Sequence, residues 1–157
     1  MYEAVMDTPL GIACIRGSDK GITEIRVSDD HSLALSIPDE LRIVCKQLNE
    51  YFEGSRKIFE VPLNPEGTPF QHKVWAALLE IPYGKKISYL DLAKKLGDPK
   101  AVRAVAGANA KNPLWILIPC HRVVGTDGSL TGYAGGLHRK KWLLNHESPS
   151  GQTVLFT

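Results

Sequence analysis

The sequence predicts an α+β chain, with a small strand-rich first part that carries one helix and a mainly helical second part. Three patterns predict it. Short apolar runs separated by turn residues fill roughly the first thirty positions. Apolar residues then recur at helical spacing from Asp39 to Phe52. From Thr68 onward, several short helical stripes follow one another, each bounded by capping or breaking residues. With 157 residues the chain suits one ordinary domain or two small ones. A boundary is expected at Asn64-Pro65-Glu66-Gly67, giving an N-terminal α/β domain over 1–67 and a C-terminal domain over 68–157.

In the first part, strands are expected at 2–6 and 10–16, broken by the turn signal Asp7-Thr8-Pro9. A second turn at Gly17–Gly21 leads into a strand from Ile22 to Val27. The helix over 39–52 buries Leu41, Val44, Cys45, Leu48, Tyr51 and Phe52, and Gly54 stops it. Ile58 to Leu63 is expected to be a further strand.

In the second part, Thr68 can cap a helix with Pro69 at its first position, where proline sacrifices no hydrogen bond. Phe70, Val74, Ala77, Leu78 and Ile81 form its apolar stripe; His72 and Trp75 read as structural. Ser88-Tyr89-Leu90-Asp91 resembles a capping box for a short helix that ends at Gly97. Asp98 and Pro99 open another, which ends near Asn112-Pro113. Two short helices around a glycine turn fit a helix-turn-helix, although the turn alone favours a plain αα-hairpin in a core, and the second helix shifts that balance. The second helix presents Arg103, Ala106, Gly107 and Ala110 on one side, with Val102, Val105 and Asn109 opposite. Small side chains around one arginine make a face that can press against another backbone. Leu114–Ile118 is a short buried apolar run, and Leu137–Glu147 a final helix with His138 and His146 at its surface.

Charge is uneven. Residues 1–68 hold 7 Lys+Arg against 12 Asp+Glu, a net −5, and residues 69–157 hold 12 against 5, a net +7. This points to the second half as the part that meets a polyanion. There is no run of eighteen apolar residues, so no membrane partner is expected, and the first residues lack a signal-peptide pattern, so a cytoplasmic protein is expected. Cys14, Cys45 and Cys120 are odd in number and widely spaced, which argues against a disulfide framework. Cys14, Cys45 and His31 show no metal-ligand spacing, so no metal is expected.

Pro119-Cys120-His121-Arg122 carries the chemistry. Thiolate is the reactive form of cysteine, and a nearby cation or imidazole favours it. Neighbouring residues on a strand face opposite ways, so His121 can assist Cys120 only if the chain turns here, or through a water. A bare Cys-His pair identifies nothing, and on its own it reads more readily as a buried structural cysteine beside a surface histidine.

The longer segment Ile116–Val124 resembles the active-site signature of the O6-alkylguanine-DNA alkyltransferases, the methylated-DNA–protein-cysteine methyltransferases. Pro69–Trp75 with Ile81-Pro82-Tyr83-Gly84, Ile87-Ser88-Tyr89, Ala101–Ala106, Gly132–Gly136 and Lys141–Glu147 are similar to further family motifs, in order. The resemblance covers roughly 68–148. The first 67 residues share only the strand-and-helix pattern of the family's N-terminal domain.

The resemblance implies an RNase H-like N-terminal domain and a winged helix-turn-helix-like C-terminal domain. It implies a single-turnover, irreversible transfer of an alkyl group to Cys120, with no cofactor. A water would link Cys120 to His121, and Glu147 would orient His121, as in a hydrolytic triad applied to an alkyl carbon. Tyr89 would donate a proton to the departing base and press on a phosphate, and Asn112 would brace the turn into the cysteine. The partner would be double-stranded DNA, held through its minor groove by a monomer. Arg103 would fill the gap left by the flipped nucleotide, and Ala106, Gly107 and Ala110 would give close approach. Tyr133, Ala134 and Gly135 would line the guanine pocket. Ala134 stands where some relatives carry serine. Trp115 stands where relatives often carry proline or a smaller residue near the pocket wall, and its bulk bears on how large an alkyl group fits; packing away from the pocket is an equal alternative for it.

Three other classes compete. A non-catalytic damage-recognition protein of the alkyltransferase-like kind would replace the cysteine, and position 120 is cysteine. A Cys-His hydrolase would turn over repeatedly and leaves the arginine-bearing helix unexplained. A DNA-binding regulator would carry an inert cysteine.

Overall fold

Strands β1 (Tyr2–Thr8), β2 (Gly11–Ser18) and β3 (Gly21–Ser28) form an antiparallel meander in the order β1-β2-β3. Tyr2 pairs with Gly17 and Thr8 with Gly11, so the first hairpin closes on Pro9-Leu10. Gly11 and Gly21 take the positive φ that begins each returning strand. These features belong to a computed structural model that describes residues 1–29, 36–130, 133 and 135–148; Ala134 and His31 lie outside the described residues.

A single 3-10 turn, Asp39–Leu41, precedes helix α1 (Arg42–Glu53). Its stripe Val44, Cys45, Leu48 and Tyr51 is buried, as are Ala4, Ala13, Ile15 and Ile25 of the sheet. Gly54, at φ 89°, ends the helix in the left-handed conformation. The strand expected over Ile58–Leu63 does not form. Ile58 is 70% exposed, and only Leu63 makes a bridge, to Ile22. Pro62 has no N–H to give a ladder; its carbonyl accepts from Ile22 N at 2.9 Å. Side chains pin the rest: Arg56 donates to the Ile58 carbonyl, and Gln47 accepts from Glu60 N.

The chain divides into two compact units, 1–66 with 113–117, and 67–112 with 118–157. In the second unit, α2 (Pro69–Leu78) begins on a full capping box. Thr68 accepts from Gln71 N at 3.1 Å, and Gln71 Oε1 accepts from Thr68 N at 2.9 Å. Its inner stripe differs from the expected one at Phe70, while Trp75 is structural as expected. Phe70 is 38% exposed, whereas Trp75 is buried, with Nε1 donating to the Ala108 carbonyl at 2.9 Å. Trp75 thereby satisfies a carbonyl in the last turn of α4.

Strand β4 (Ile87–Ser88) runs directly into α3 (Tyr89–Lys95), capped by Ser88, which accepts from Asp91 N. A 3-10 turn (Pro99–Ala101) opens α4 (Val102–Ala110), with Asp98 accepting from Lys100 N. Strand β5 (Val123–Val124) pairs in parallel with β4, Ile87 with Val123 and Ser88 with Val124. Helix α5 (Leu137–His146) closes the unit. The unit is mainly helical with a winged helix-turn-helix-like arrangement, and the first unit is the strand-rich partner. The β4–β5 pair positions the site: one residue past β4 lies Tyr89, and one residue before β5 lies Arg122.

Candidate active site

Pro119 sets up the approach to the cysteine. At φ −80° and ψ 62° it sits at the centre of an inverse γ-turn, and Cys120 N donates to the Ile118 carbonyl at 2.8 Å. Asn112 Nδ2 donates to the same carbonyl at 2.8 Å, so the residue expected to brace this turn does contact it. Just upstream, Ile116 holds φ at 71°. A β-branched residue in that region costs about 1–3 kcal/mol, so the surrounding packing imposes the shape.

Cys120, His121 and Arg122 then form a 3-10 turn, and all three are buried. The chain therefore turns where a strand would have separated cysteine from histidine. His121 Nε2 and Glu147 Oε2 lie 2.7 Å apart, with both residues buried. A carboxylate accepts, so the proton sits on Nε2, and Nδ1 is left as the basic nitrogen. Nδ1 is buried and has no partner among the described residues.

Arg122, a neighbouring cation in the sequence reading, meets the site through Glu147. Its Nε donates to Glu147 Oε1 at 2.8 Å and its Nη2 to Oε2 at 3.1 Å, a two-point contact that fixes the carboxylate plane. Its Nη1 donates to the Ile81 carbonyl at 2.7 Å. Burial alone would push the Glu147 carboxyl up. His121 and Arg122 outweigh burial and hold it far below the usual carboxylate range. Burial pushes His121 down, more than Glu147 raises it, so its imidazole is neutral at rest.

Cys120 departs from the expectation of a ready thiolate. Burial pushes its thiol up, beyond what the Asn112 amide, Lys140 and its own N–H can offset. Both shifts favour the uncharged forms, a thiol on Cys120 and a neutral imidazole on His121. Cys45 differs in kind: burial drives it to about 11, and no neighbouring group opposes the shift. Cys120, unlike Cys45, has groups arranged to favour its anion.

Lys140, on α5, is a residue that the sequence reading missed. It is fully buried, with Nζ 5.6 Å from the Tyr89 ring centroid. Burial lowers it to about 8, while interaction with Cys120 favours its charge. Within Arg139-Lys140-Lys141 it reads as part of a solvated basic run. The available signal was spacing: Lys140, Leu144 and Glu147 stand at i, i+4 and i+7, on the buried side of α5 with Leu143. His146 is half-buried rather than superficial, its ring stacked on Trp142 at 4.8 Å.

Tyr89 is buried at the first position of α3. On α4, Arg103, Gly107 and Ala110 are exposed and Ala106 is half-buried, whereas Val105, Ala108 and Asn109 are buried. A Cβ built on Gly107 meets nothing within 4 Å, so the protein's own packing does not require glycine there. Tyr133 and Gly135 are half-buried before α5, and the Gly135 carbonyl accepts from Arg139 Nη1 at 2.8 Å. Trp115 belongs to the first unit, where its ring lies 6.1 Å from that of Phe52.

The ribonuclease-like domain model of 6-O-methylguanine DNA methyltransferase matches residues 1–65, and the DNA-binding domain model of the same family matches 69–149. The methylated-DNA–protein-cysteine methyltransferase of Methanosarcina acetivorans is 44% identical over 154 residues, covering 94% of this chain and 98% of its own. The constitutive enzyme of Bacillus subtilis is 44% identical over 156 residues, covering 93% and 94%. Among solved structures, the O6-methylguanine methyltransferase of Mycobacterium tuberculosis superposes with a TM-score of 0.81 at 40% identity, over 93% of this chain and 92% of that one. The Mycobacterium tuberculosis protein in complex with DNA gives 0.85 at 42%, over 94% and 92%. The likeness spans both units at once, and the chain therefore belongs to the 6-O-methylguanine-DNA methyltransferase family, whose reaction is the direct, stoichiometric transfer of an alkyl group from O6-alkylguanine to a cysteine.

Proposed function

We propose that Cys120 is the cysteine that receives the alkyl group, and that His121, Glu147, Arg122, Asn112, Lys140 and Tyr89 serve that one transfer. The observation that carries this reading is the buried chain His121–Glu147–Arg122 beside a buried thiol, with the free face of His121 basic. The thiol proton passes through a water to His121 Nδ1, and Glu147 stabilises the imidazolium that forms. The sulfur lone pair forms the S–C bond, and the C–O electron pair withdraws into the purine. Tyr89 delivers a proton to that leaving base. The thioether has no route back to thiol, so each chain reacts once.

The alkylated oxygen lies within the stack of a duplex, so the nucleotide is turned out into the pocket beside Tyr133 and Gly135. Arg103 occupies the space left behind. Helix α4 enters the minor groove with Gly107 and Ala110 against the backbone, a role consistent with the open space at Gly107. The complex of the Mycobacterium tuberculosis relative with DNA supports the choice of partner, and the reading treats a monomer as the acting unit. Titration of the protein against duplex bearing labelled O6-methylguanine tests the reaction class. Transfer should saturate at one methyl per chain. Continued turnover beyond one equivalent would indicate a hydrolase, and binding without transfer a recognition protein.

A further inference from the structure

Asn109 stands on the inner side of α4, 1% exposed, and its amide has two different fates. Nδ2 donates to the Cys120 carbonyl at 3.4 Å. Oδ1, on the same carbon, is buried and has no partner among the described residues. Turning the amide over would set two carbonyl oxygens against each other, so this orientation is the stable one. An acceptor left dry in a protein interior costs about 1–3 kcal/mol, and buried polar atoms of this kind are ordinarily met by an ordered water. A second buried acceptor, His121 Nδ1, belongs to the residue following Cys120. Two unmatched acceptors flank the same short turn, and one water has two hydrogens to give.

We propose that Asn109 is a positioning residue for the reaction, its Oδ1 holding one hydrogen of the water that relays the proton from Cys120 to His121. This rests on the reading of Cys120 and His121 given above. With one O–H committed to Asn109, the water keeps its other O–H for Nδ1 and a lone pair for the thiol. The Cys120 proton moves onto the water oxygen as the water proton moves onto Nδ1, leaving thiolate, imidazolium and an unchanged water. The Asn109 bond persists throughout, so the water does not have to reorient. The charged groups that act on Cys120 and His121 are Lys140 of α5, which faces the Tyr89 ring of α3, with Glu147 beyond it and Arg122 of the turn. Apart from His121, which takes the proton, no charged group needs to change state for Asn109 to act.

Asn109→Leu keeps the volume and removes both polar ends. The pH dependence of Cys120 alkylation by iodoacetamide, and of methyl transfer from O6-methylguanine duplex, separates positioning from architecture. The variant should still take up one methyl, but roughly ten- to a hundredfold more slowly near neutrality, a part of the 10²–10⁴ that a whole proton-transfer group supplies. The deficit should shrink as the pH approaches that at which the thiol ionises unaided, and Asn109→Gln should recover part of the rate. A deficit that is the same at every pH, or none at all, overturns the proposal. Should the leucine variant fail to fold, a high-resolution diffraction map of the wild type decides it: an ordered water within hydrogen-bond reach of both Asn109 Oδ1 and His121 Nδ1 is expected, and one that reaches His121 alone overturns it. Failure of the wild type to take up methyl on Cys120 would instead refute the reading of the site.

Discussion

Glu147 accepts from three donor groups on His121 and Arg122 while buried. Its depressed pKa has a definite consequence for stability. The unfolded chain holds a proton on this residue below about 4.5 that the folded one does not, so its contribution is complete above 4.5 and is lost as the pH falls through the lower folded value. Glu147→Gln should remove that part of the acid sensitivity. It should also cost about 3–5 kcal/mol at pH 7, because buried Arg122 loses its counter-charge. Thermal melts across pH 3–8 would show both effects, and a variant that matches the wild type at pH 7 would refute the coupling. Lys140 makes the opposite trade. A buried cation is costly to the fold, yet it favours the thiolate. Lys140→Met should therefore melt higher while its Cys120 reacts about tenfold more slowly at pH 7, equivalent to about one pH unit in the thiol. Lower stability together with unchanged reactivity would contradict that assignment.

Helix α4 shows at the next scale what was legible in the sequence. Its two faces followed from 3.6-residue spacing alone, because exposure on a short amphipathic helix is a periodic property. Arg103, Gly107 and Ala110 are outward and Val105 and Asn109 inward, as that spacing predicts. The partners of Asn109 and Trp75 were not legible, since the Cys120 carbonyl and the Ala108 carbonyl are brought to them by packing between elements far apart in sequence. The same applies to His121 with Glu147, separated by 26 positions. The strand expected at Ile58–Leu63 failed for the converse reason: β-like composition does not make a ladder, and the β3 edge takes only Leu63 at Ile22 before pairing at Ile25 with Leu114. Gly107 gives a test confined to this helix. Gly107→Ala should stabilise the fold by up to about 1 kcal/mol, since the methyl meets open space. Gly107→Leu should leave the fold intact and weaken duplex binding strongly, measured by fluorescence anisotropy. Equal affinity for all three would remove α4 from the interface. Arg103→Ala should slow repair of duplex roughly 10–100-fold, the worth of a few kcal/mol of unstacking, while leaving reaction with a free alkylated guanine nearly unchanged.

At the scale of the whole molecule, charge is sorted along the chain, with a net −5 before residue 69 and +7 after it. The unit that carries Cys120 and α4 is thus the one suited to displace counterions from DNA. Affinity for duplex should fall linearly in log–log form as salt rises, and a flat response would detach the basic half from binding. The first unit carries Cys14 and Cys45 and takes the segment 113–117 into its own contacts, so the chain that leaves α4 passes through it before reaching the reactive turn. That excursion was not visible in a sequence whose apolar run at Leu114–Ile118 reads only as buried. Division of labour then has a sharp expression in which sulfur is changed. Folded protein held under reducing conditions with saturating O6-methylguanine duplex, then digested and mapped by mass spectrometry, should carry one methyl thioether at Cys120, with Cys14 and Cys45 intact and the guanine restored. A restored guanine with Cys120 unmodified, or a methyl on either other cysteine, would contradict the assignment.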